Sequence, residues 1–256
     1  MNPIPDRVPL APQGHLAFVR SPGRAPEIVF LTGLRSDMTG TKALFLERHC
    51  AARGQAFTRF DYRGHGASCG RFEDGTIGDW LADTLTILDE VATGPVVLVG
   101  SSMGGWLMLL AALARPRQVR GLVGIAAAPD LTEDLMWARA TPEIRAALER
   151  EGVWLAPSPY GEPIPITRRL IEEGGRHLLL RGTIPIRCPV HLLHGQEDPD
   201  VPWQTALTLA AKLESDAVTV ELITDGDHRL SREEDLKRIA AAVDRVVALA
   251  TGGLPG

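Results

Sequence analysis

Short, mostly apolar segments alternate with amphipathic segments along most of the chain. The apolar segments cover residues 27–33, 56–62, 96–100, 120–128, 189–195 and 217–224, and the segments with helical spacing cover 39–54, 76–94, 106–116, 203–214 and 232–250. Strands that are apolar on both faces are typical of parallel sheets, in which helices connect the strands. The alternation therefore predicts an α/β fold with a mostly parallel central sheet and helices on both faces.

Residues 129–187 interrupt this alternation. They contain seven prolines and two tryptophans, with only short helical patterns such as 142–151. Ligands of open α/β sheets bind at the edge where the parallel strands end. We therefore predict one domain over residues 1–256, in which 129–187 form an insertion that covers this edge as a lid.

Charge and composition argue against several classes of partner. The net charge is −5 and the isoelectric point is about 5.8, whereas binding to nucleic acid requires a basic surface. No apolar stretch reaches the roughly 20 residues of a membrane span, and the N-terminus lacks the pattern of a secretory signal. The three cysteines have neither disulfide nor metal-ligand spacing, which favours a reducing compartment. We expect a cytoplasmic protein, and nothing in the pattern predicts an oligomeric state.

The segment VGSSMGGWL, residues 99–107, contains two adjacent serines between glycines. A nucleophilic serine on a sharp strand-to-helix turn occurs in the pattern Gly-x-Ser-x-Gly. Only Ser102 fits, with Gly100 and Gly104 on its two sides, whereas Ser101 is flanked by larger side chains. The alternative is a turn of small residues chosen for packing alone. The preceding apolar strand and the following helix favour a nucleophile at Ser102.

A nucleophilic serine needs a base, which is usually a histidine. His228 lies in a loop directly after segment 217–224, at the edge where the strands end. Among the seven histidines it alone follows every candidate acid, as the order serine, acid, histidine requires. His65 lies in a glycine-rich turn and could also line a pocket, and His194 is explained equally well by a loop hydrogen bond.

The histidine in turn needs an acid that orients it. Asp198, in HGQEDPDVPW, lies at the turn between a strand and the next helix. Asp200 is closer to that helix and fits its N-terminal cap better. Asp130 follows another strand and remains an alternative, whereas Asp225 and Asp227 are too near His228 in sequence to orient it easily.

Backbone N–H groups are expected to stabilise the negative oxygen of an acyl-transfer intermediate. One donor is predicted at Met103, which follows the serine at the start of a helix. The other is predicted at Leu34, because Gly33 lets the chain turn after the strand of residues 27–33. The Leu34 side chain is expected to be incidental to this role.

Five segments, TGL (32–34), DYRGHGAS, GSSMGGW, HGQEDPDVPW and GDHRL, together resemble the α/β-hydrolase fold family over residues 15–250. The order and detail of several longer segments are similar to a branch of protein S-depalmitoylases and acyl-glucuronide esterases. The resemblance implies the α/β-hydrolase fold and places the roles of nucleophile, acid and base on Ser102, Asp198 and His228. The chain shows no mitochondrial transit pattern and is therefore interpreted as a bacterial relative. Thr32 stands where many members carry histidine.

These features predict a serine hydrolase that cleaves carboxylic esters or thioesters through an acyl-enzyme. The substrate is expected to be a small molecule or an acylated molecule, and no metal or organic cofactor is implied. Leu135, Trp137 and Trp154 in the insertion are candidates for lining an acyl channel. They could equally pack the insertion onto the body of the protein.

Two alternative functions remain compatible with the sequence. An aminopeptidase of the same fold would need acidic side chains to hold the free amine of its substrate, and Glu133, Asp134 and Glu143 are available in the insertion. A non-catalytic binder of small ligands could retain the same three polar residues.

Overall fold

The computed structural model describes residues 4–10, 14–157 and 162–252. In chain order the strands are β1 (Asp6–Pro9), β2 (His15–Ser21), β3 (Arg24–Leu31), β4 (Gln55–Phe60), β5 (Val96–Ser101), β6 (Val119–Ile125), β7 (Val153–Ala156), β8 (Ile164–Thr167), β9 (Val190–Gly195) and β10 (Val218–Ile223). The α-helices are α1 (Thr41–Ala52), α2 (Ile77–Glu90), α3 (Met103–Ala114), α4 (Pro142–Glu151), α5 (Arg168–Gly174), α6 (Gln204–Lys212) and α7 (Glu233–Gly252).

Eight strands form one sheet in the order β1-β2-β4-β3-β5-β6-β9-β10. The six strands from β4 to β10 in this order pair in parallel, whereas β1 pairs antiparallel with β2, and β2 pairs antiparallel with β4. Helices cover both faces: α2, α3 and α6 contribute to one apolar core, and α1 and α7 to the other. The predicted α/β fold with a mostly parallel sheet is confirmed.

The central position of β5 follows from its composition. All six residues of the strand, VVLVGS, are buried, since helices cover both of its faces. The following helix α3 is apolar nearly all round, and ten of its residues are buried. An element without a polar face can be accommodated only inside the molecule, so the β5–α3 connection lies at the centre of the fold.

The chain between β6 and β9 leaves the main sheet, although these two strands are neighbours in it. This segment contains a π-helical turn over Thr132–Trp137, the helices α4 and α5, and a two-stranded antiparallel sheet of β7 and β8. It has a small apolar core of its own around Leu148, Ile166 and Ile171. The segment corresponds to the predicted insertion 129–187, of which residues 158–161 lie outside the described residues.

Two local features of the structure differ from what the sequence predicts. Helix α3 begins at Met103 and not at residue 106, because Gly104 and Gly105 continue the helix in spite of their low helix propensity. The hairpin of β1 and β2 was not predicted, since β1 is short and mostly exposed at the sheet edge and lacks an apolar run.

Close packing between β6 and α7 makes Gly121 sensitive to substitution. A methyl group on Gly121 would lie 2.3 Å from Cγ1 of the buried Val246. We expect Gly121→Ala to lower the free energy of unfolding by about 1–3 kcal/mol, as overpacking of a core does. Urea denaturation followed by circular dichroism measures this change.

The exposed Gly182 provides the control, since a methyl group there would meet no atom within 4 Å. Gly182→Ala should leave stability nearly unchanged, and Val246→Ala should reduce the cost of Gly121→Ala in the double variant. Equal stabilities of the Gly121→Ala and Gly182→Ala proteins would contradict the packing argument.

Candidate active site

Ser102 lies on a sharp turn between β5 and α3. Its backbone has φ 54° and ψ −119°, a combination that non-glycine residues rarely adopt. The turn brings the chain very close to its neighbours: a methyl group on Gly100 would lie 2.3 Å from the Gly104 carbonyl oxygen, and one on Gly104 would lie 2.2 Å from the Leu31 carbonyl oxygen. The two glycines that single out Ser102 in the sequence are therefore the residues that this turn requires.

His228 connects Ser102 to a carboxylate. Its Nε2 lies 3.1 Å from Ser102 Oγ, and its Nδ1 lies 2.7 Å from Asp198 Oδ2. The loop that carries His228 is held by α1, because the Lys42 ammonium donates a hydrogen bond of 2.5 Å to the Arg229 carbonyl oxygen. Burial lowers the pKa of Lys42 to about 8. The three predicted residues thus lie together at the carboxyl edge of the sheet.

The Asp198 carboxylate is inaccessible to solvent and accepts four hydrogen bonds. Its donors are His228 Nδ1, His194 Nε2 at 3.1 Å, and the backbone N–H groups of Asp200 and Val201, both at 2.8 Å. Burial by itself raises the pKa of Asp198, but the hydrogen bonds from His194 and His228 hold that pKa well below its usual value. The carboxylate is therefore ionised and fixed in orientation. The contact with His194 was anticipated only as an unspecified loop hydrogen bond.

Two other candidate acids, Asp130 and Asp225, have their partners away from His228. Asp130 is fully buried and accepts hydrogen bonds from the N–H groups of Leu179 and Leu180, at 2.7 and 2.9 Å. Asp225 pairs with Arg232 on the surface. The alternative assignment of the acid to Asp130 therefore has no support in the geometry.

The two predicted backbone donors lie next to Ser102. Met103 is the first residue of α3, where helix N–H groups have no intrahelical acceptor. A methyl group on Gly33 would lie 3.4 Å from Ser102 Cβ, so the loop that contains Leu34 packs against the serine. Within the described residues, the Leu34 N–H donates to no protein group.

The Leu34 side chain has a packing role that the sequence does not indicate. It contacts the main apolar core and also the small core of the insertion. Leu34 therefore joins the loop beside Ser102 to the insertion.

His65 is hydrogen-bonded to the loop that contains Leu34. Its Nε2 accepts a hydrogen bond from the Arg35 N–H at 3.2 Å, and its Nδ1 donates to the Arg63 carbonyl oxygen at 3.2 Å. These partners require the neutral ring with the proton on Nδ1. The ring is buried against Phe72 and Trp80, and this burial lowers its pKa to about 4. The sequence marked His65 only as a residue that could line a pocket.

A cavity of about 640 Å³ opens beside Ser102 and His228. The insertion lines one side of it, here called the apolar half, with Leu131, Leu135, Met136, Pro157 and Ile164. The β3–α1 loop and the first turn of α1 also line the cavity, with Thr32, Ser36, Thr41 and Lys42 and with the apolar side chains of Leu34 and Ala43. The charged side chains of Arg139 and Glu162 also belong to the lining on the side of the insertion.

Only one of the three predicted lid residues lies in the cavity wall. Leu135 lines the cavity, but Trp137 and Trp154 pack in the small core of the insertion. The Trp137 ring also lies under the Arg145 guanidinium, 4.8 Å from its carbon. Of the two interpretations that the sequence left open for these tryptophans, the geometry favours packing, because their side chains lie in the small core of the insertion. The neighbouring Met136 also lines the cavity.

The acidic residues that an aminopeptidase would need do not reach the cavity. Glu133, Asp134 and Glu143 are absent from its wall as far as the described residues define it. Asp134 is paired with Arg181, whose guanidinium donates hydrogen bonds to both of its carboxylate oxygens. This arrangement disfavours binding of a free amine by these side chains.

One group of potential metal ligands overlaps the site. Among the described residues, ligand atoms of Asp198, Asp200 and His228 lie within 4.8 Å of one another. A metal ion bound there through His228 Nδ1 would have to replace the hydrogen bond between His228 and Asp198. The group therefore competes with the arrangement that orients His228.

Sequence and structure comparisons decide the family. The pattern of the alpha/beta hydrolase family matches residues 28–242. The chain belongs to the alpha/beta hydrolase family. A relative from Bos taurus, named palmitoyl-protein thioesterase ABHD10, mitochondrial, is 42% identical over 237 residues, which are 91% of this chain and 76% of the relative.

Two solved structures of this family are similar over nearly the whole chain. Alpha/beta hydrolase domain-containing protein 10 from mouse has a TM-score of 0.87 and 41% identity, with 95% of this chain and 98% of that chain covered. A putative hydrolase from Agrobacterium vitis has a TM-score of 0.91 and 41% identity, with 96% and 100% covered. This membership confirms the predicted fold class, and the relatives' names agree with an ester or thioester hydrolase.

The comparisons correct the predicted location. The Bos taurus relative is named as a mitochondrial protein, which overturns the prediction of a cytoplasmic one. That prediction relied on composition and unpaired cysteines, which indicate a reducing aqueous environment but do not distinguish one such compartment from another. No helix in the described part of the chain is long and apolar enough to cross a membrane.

The neutral His65 should make stability depend on pH. The unfolded chain binds a proton at His65 near pH 6.5, but the folded protein does so only near pH 4. Lowering the pH through this window therefore favours the unfolded state, by up to about 3 kcal/mol from this residue. Urea denaturation at pH 7.5 and pH 5 measures the loss.

His65→Gln is the matched control, because glutamine does not titrate. The variant should be less stable at pH 7.5 but should lose less stability than the wild type between the two pH values. His191, whose pKa burial also lowers, is present in both proteins and cancels. An identical pH dependence in both proteins would show that His65 is not the titrating group.

Proposed function

We propose that this alpha/beta hydrolase cleaves acyl thioesters and esters, with Ser102 as nucleophile, His228 as general base and Asp198 as the acid that orients His228. The proposal rests on one observation, the continuous hydrogen-bonded line from Ser102 Oγ through His228 to Asp198, with distances of 3.1 and 2.7 Å. A hydroxyl, an imidazole and an ionised carboxylate in this order form the arrangement that activates a serine for acyl transfer.

In the proposed reaction, Ser102 Oγ attacks the carbonyl carbon and gives its proton to His228 Nε2. The N–H groups of Leu34 and Met103 donate hydrogen bonds to the carbonyl oxygen as it becomes negative. The bond between the carbonyl carbon and the leaving sulfur or oxygen then breaks, His228 protonates that atom so that a thiol or alcohol departs, and an acyl-enzyme remains. A water molecule, deprotonated by His228, attacks this acyl-enzyme and releases the acid and free Ser102.

The apolar half of the cavity favours a substrate that carries an apolar acyl group. The apolar side chains of Leu131, Leu135 and Met136 line the same cavity as Ser102. The name of the Bos taurus relative, palmitoyl-protein thioesterase, describes an enzyme that cleaves acyl thioesters. We further propose that the chain is one domain and that the insertion 129–187 is the lid over its site.

Asp198→Asn provides a test of the acid. We expect turnover to fall by about 10³–10⁴-fold, because the amide would favour the wrong tautomer of His228. Steady-state hydrolysis of an acyl thioester measures the loss, and thermal unfolding checks that the fold is retained.

Asp130→Asn is the companion variant, since Asp130 is equally buried but contacts the backbone of Leu179 and Leu180. It should retain turnover within a small factor. Near-normal turnover in Asp198→Asn together with an inactive Asp130→Asn would move the role of the acid to Asp130.

The function itself is tested with matched esters and thioesters of acyl groups from two to sixteen carbons, with Ser102→Ala as the blank. We expect turnover that rises with chain length in the wild type and disappears in the variant, together with fluorophosphonate labelling on Ser102.

Turnover restricted to short acyl groups would refute a long-acyl substrate. A wild type that equals the blank throughout would favour a non-catalytic ligand binder, and label on Ser101 would refute the nucleophile.

A further inference from the structure

A second histidine, His194, contacts the carboxylate that orients His228. It lies near the end of β9, which pairs with β6 on one side and β10 on the other, and its side chain is fully buried. Its Nε2 lies 3.1 Å from Asp198 Oδ2 and 3.1 Å from the Val201 carbonyl oxygen. One ring nitrogen therefore reaches both the acid and the backbone of the loop that carries the acid.

The partners of the His194 ring indicate which nitrogen carries the proton. Both groups near Nε2 are acceptors, because Asp198 is ionised, so Nε2 has to donate. Nδ1 is buried and has no hydrogen-bond partner among the described residues. A proton on Nδ1 would be a buried donor without an acceptor, which costs free energy. The surroundings thus favour a ring with a single proton on Nε2, which acts as a hydrogen-bond donor.

The two oxygens of Asp198 are held by different groups. Oδ1 accepts from the backbone N–H groups of Asp200 and Val201, whereas Oδ2 accepts from His194 and His228. Without His194, the only donor to Oδ2 would be His228, whose ring gains and loses a proton in the proposed reaction. His194 supplies the fixed partner of Oδ2, because the paired strand β9 carries it.

His194 has no route to the substrate. Its side chain has no exposed surface, and it does not belong to the cavity wall that the described residues form. An effect of this residue on turnover has to pass through Asp198 or its loop.

We propose that His194 is a positioning residue for the reaction, whose Nε2–H keeps Asp198 Oδ2 directed at His228 Nδ1 while His228 takes up and releases the proton. This inference rests on the proposed function. The acid then serves two histidines, of which His228 transfers the proton and His194 holds the acceptor in place, as a supporting hydrogen bond does for a preorganised site.

The first test varies the donor at position 194. His194→Phe removes it and keeps a buried ring, and in His194→Asn the shorter amide does not reach Oδ2, so the test survives if one of them fails to fold. We expect kcat on an acyl thioester to fall about 10–100-fold in both, because the lost hydrogen bond is made to a charged group. His194→Gln, whose amide nitrogen reaches as far as Nε2, should recover most of the loss, and circular dichroism checks the fold.

The second test asks whether the effect passes through Asp198. In the Asp198→Asn protein, His194→Phe should lower turnover by no more than about a further twofold, because residues that act as a unit are not additive. Single-turnover hydrolysis with enzyme in excess over substrate resolves these slow rates, with Ser102→Ala as the blank. A merely structural loss would reduce turnover by the same factor in both backgrounds.

His191→Phe is the matched control. His191 lies on the same strand, is also buried, and has a buried Nδ1 without a partner in the described part of the chain, but its Nε2 contacts Glu221 on β10. Glu221 keeps a hydrogen bond from Arg238 when this histidine is replaced. The variant should therefore leave kcat unchanged.

The outcomes separate this inference from the proposed function. Wild-type turnover in His194→Phe, an equal loss in both Asp198 backgrounds, or no recovery in His194→Gln would each overturn the role of His194 while Ser102, His228 and Asp198 kept theirs. If the wild type were no faster than Ser102→Ala, the proposed function would fail, and the positioning role with it.

Discussion

The tight turn at Ser102 is the constraint on which the site depends. The backbone at Ser102 has positive φ, and glycine at positions 100 and 104 allows β5, α3 and the end of β3 to approach within contact distance. This approach also brings the loop of Leu34 alongside the serine, so the turn that exposes the hydroxyl also places the second backbone donor. Because parallel strands end at one edge of the sheet, the loops after β9 and β10 converge on the same point.

Two buried titratable groups near this turn differ in charge state, since one is ionised and the other is neutral. Asp198 is surrounded by four hydrogen-bond donors, which keep its carboxylate ionised in spite of burial. His65 has one donor and one acceptor and is packed among aromatic rings, so it stays neutral. The difference follows from the partners, since burial alone disfavours the charged form of both groups. One group orients His228, and the other supports the loop beside Ser102.

Much of the fold could be predicted, because buried parallel strands are continuous apolar runs and the helices between them are amphipathic. The predictions failed where this pattern is absent, at the exposed β1 and in the insertion. There, Trp137 and Trp154 are large apolar residues for which the sequence allowed two interpretations, and the small core of the insertion takes both.

By itself, the sequence determined the chemistry and the local backbone: a serine between glycines that leave room for a sharp turn, a later acid, a histidine after it and strands apolar enough to form a parallel sheet. Each of these motifs is defined by residues a few positions apart. The tertiary structure decided which acid meets His228 and which insertion side chains face the cavity. These outcomes depend on contacts between distant segments, such as Ser102 and His228 at a separation of 126 residues, which arise only when the packed core brings those segments together.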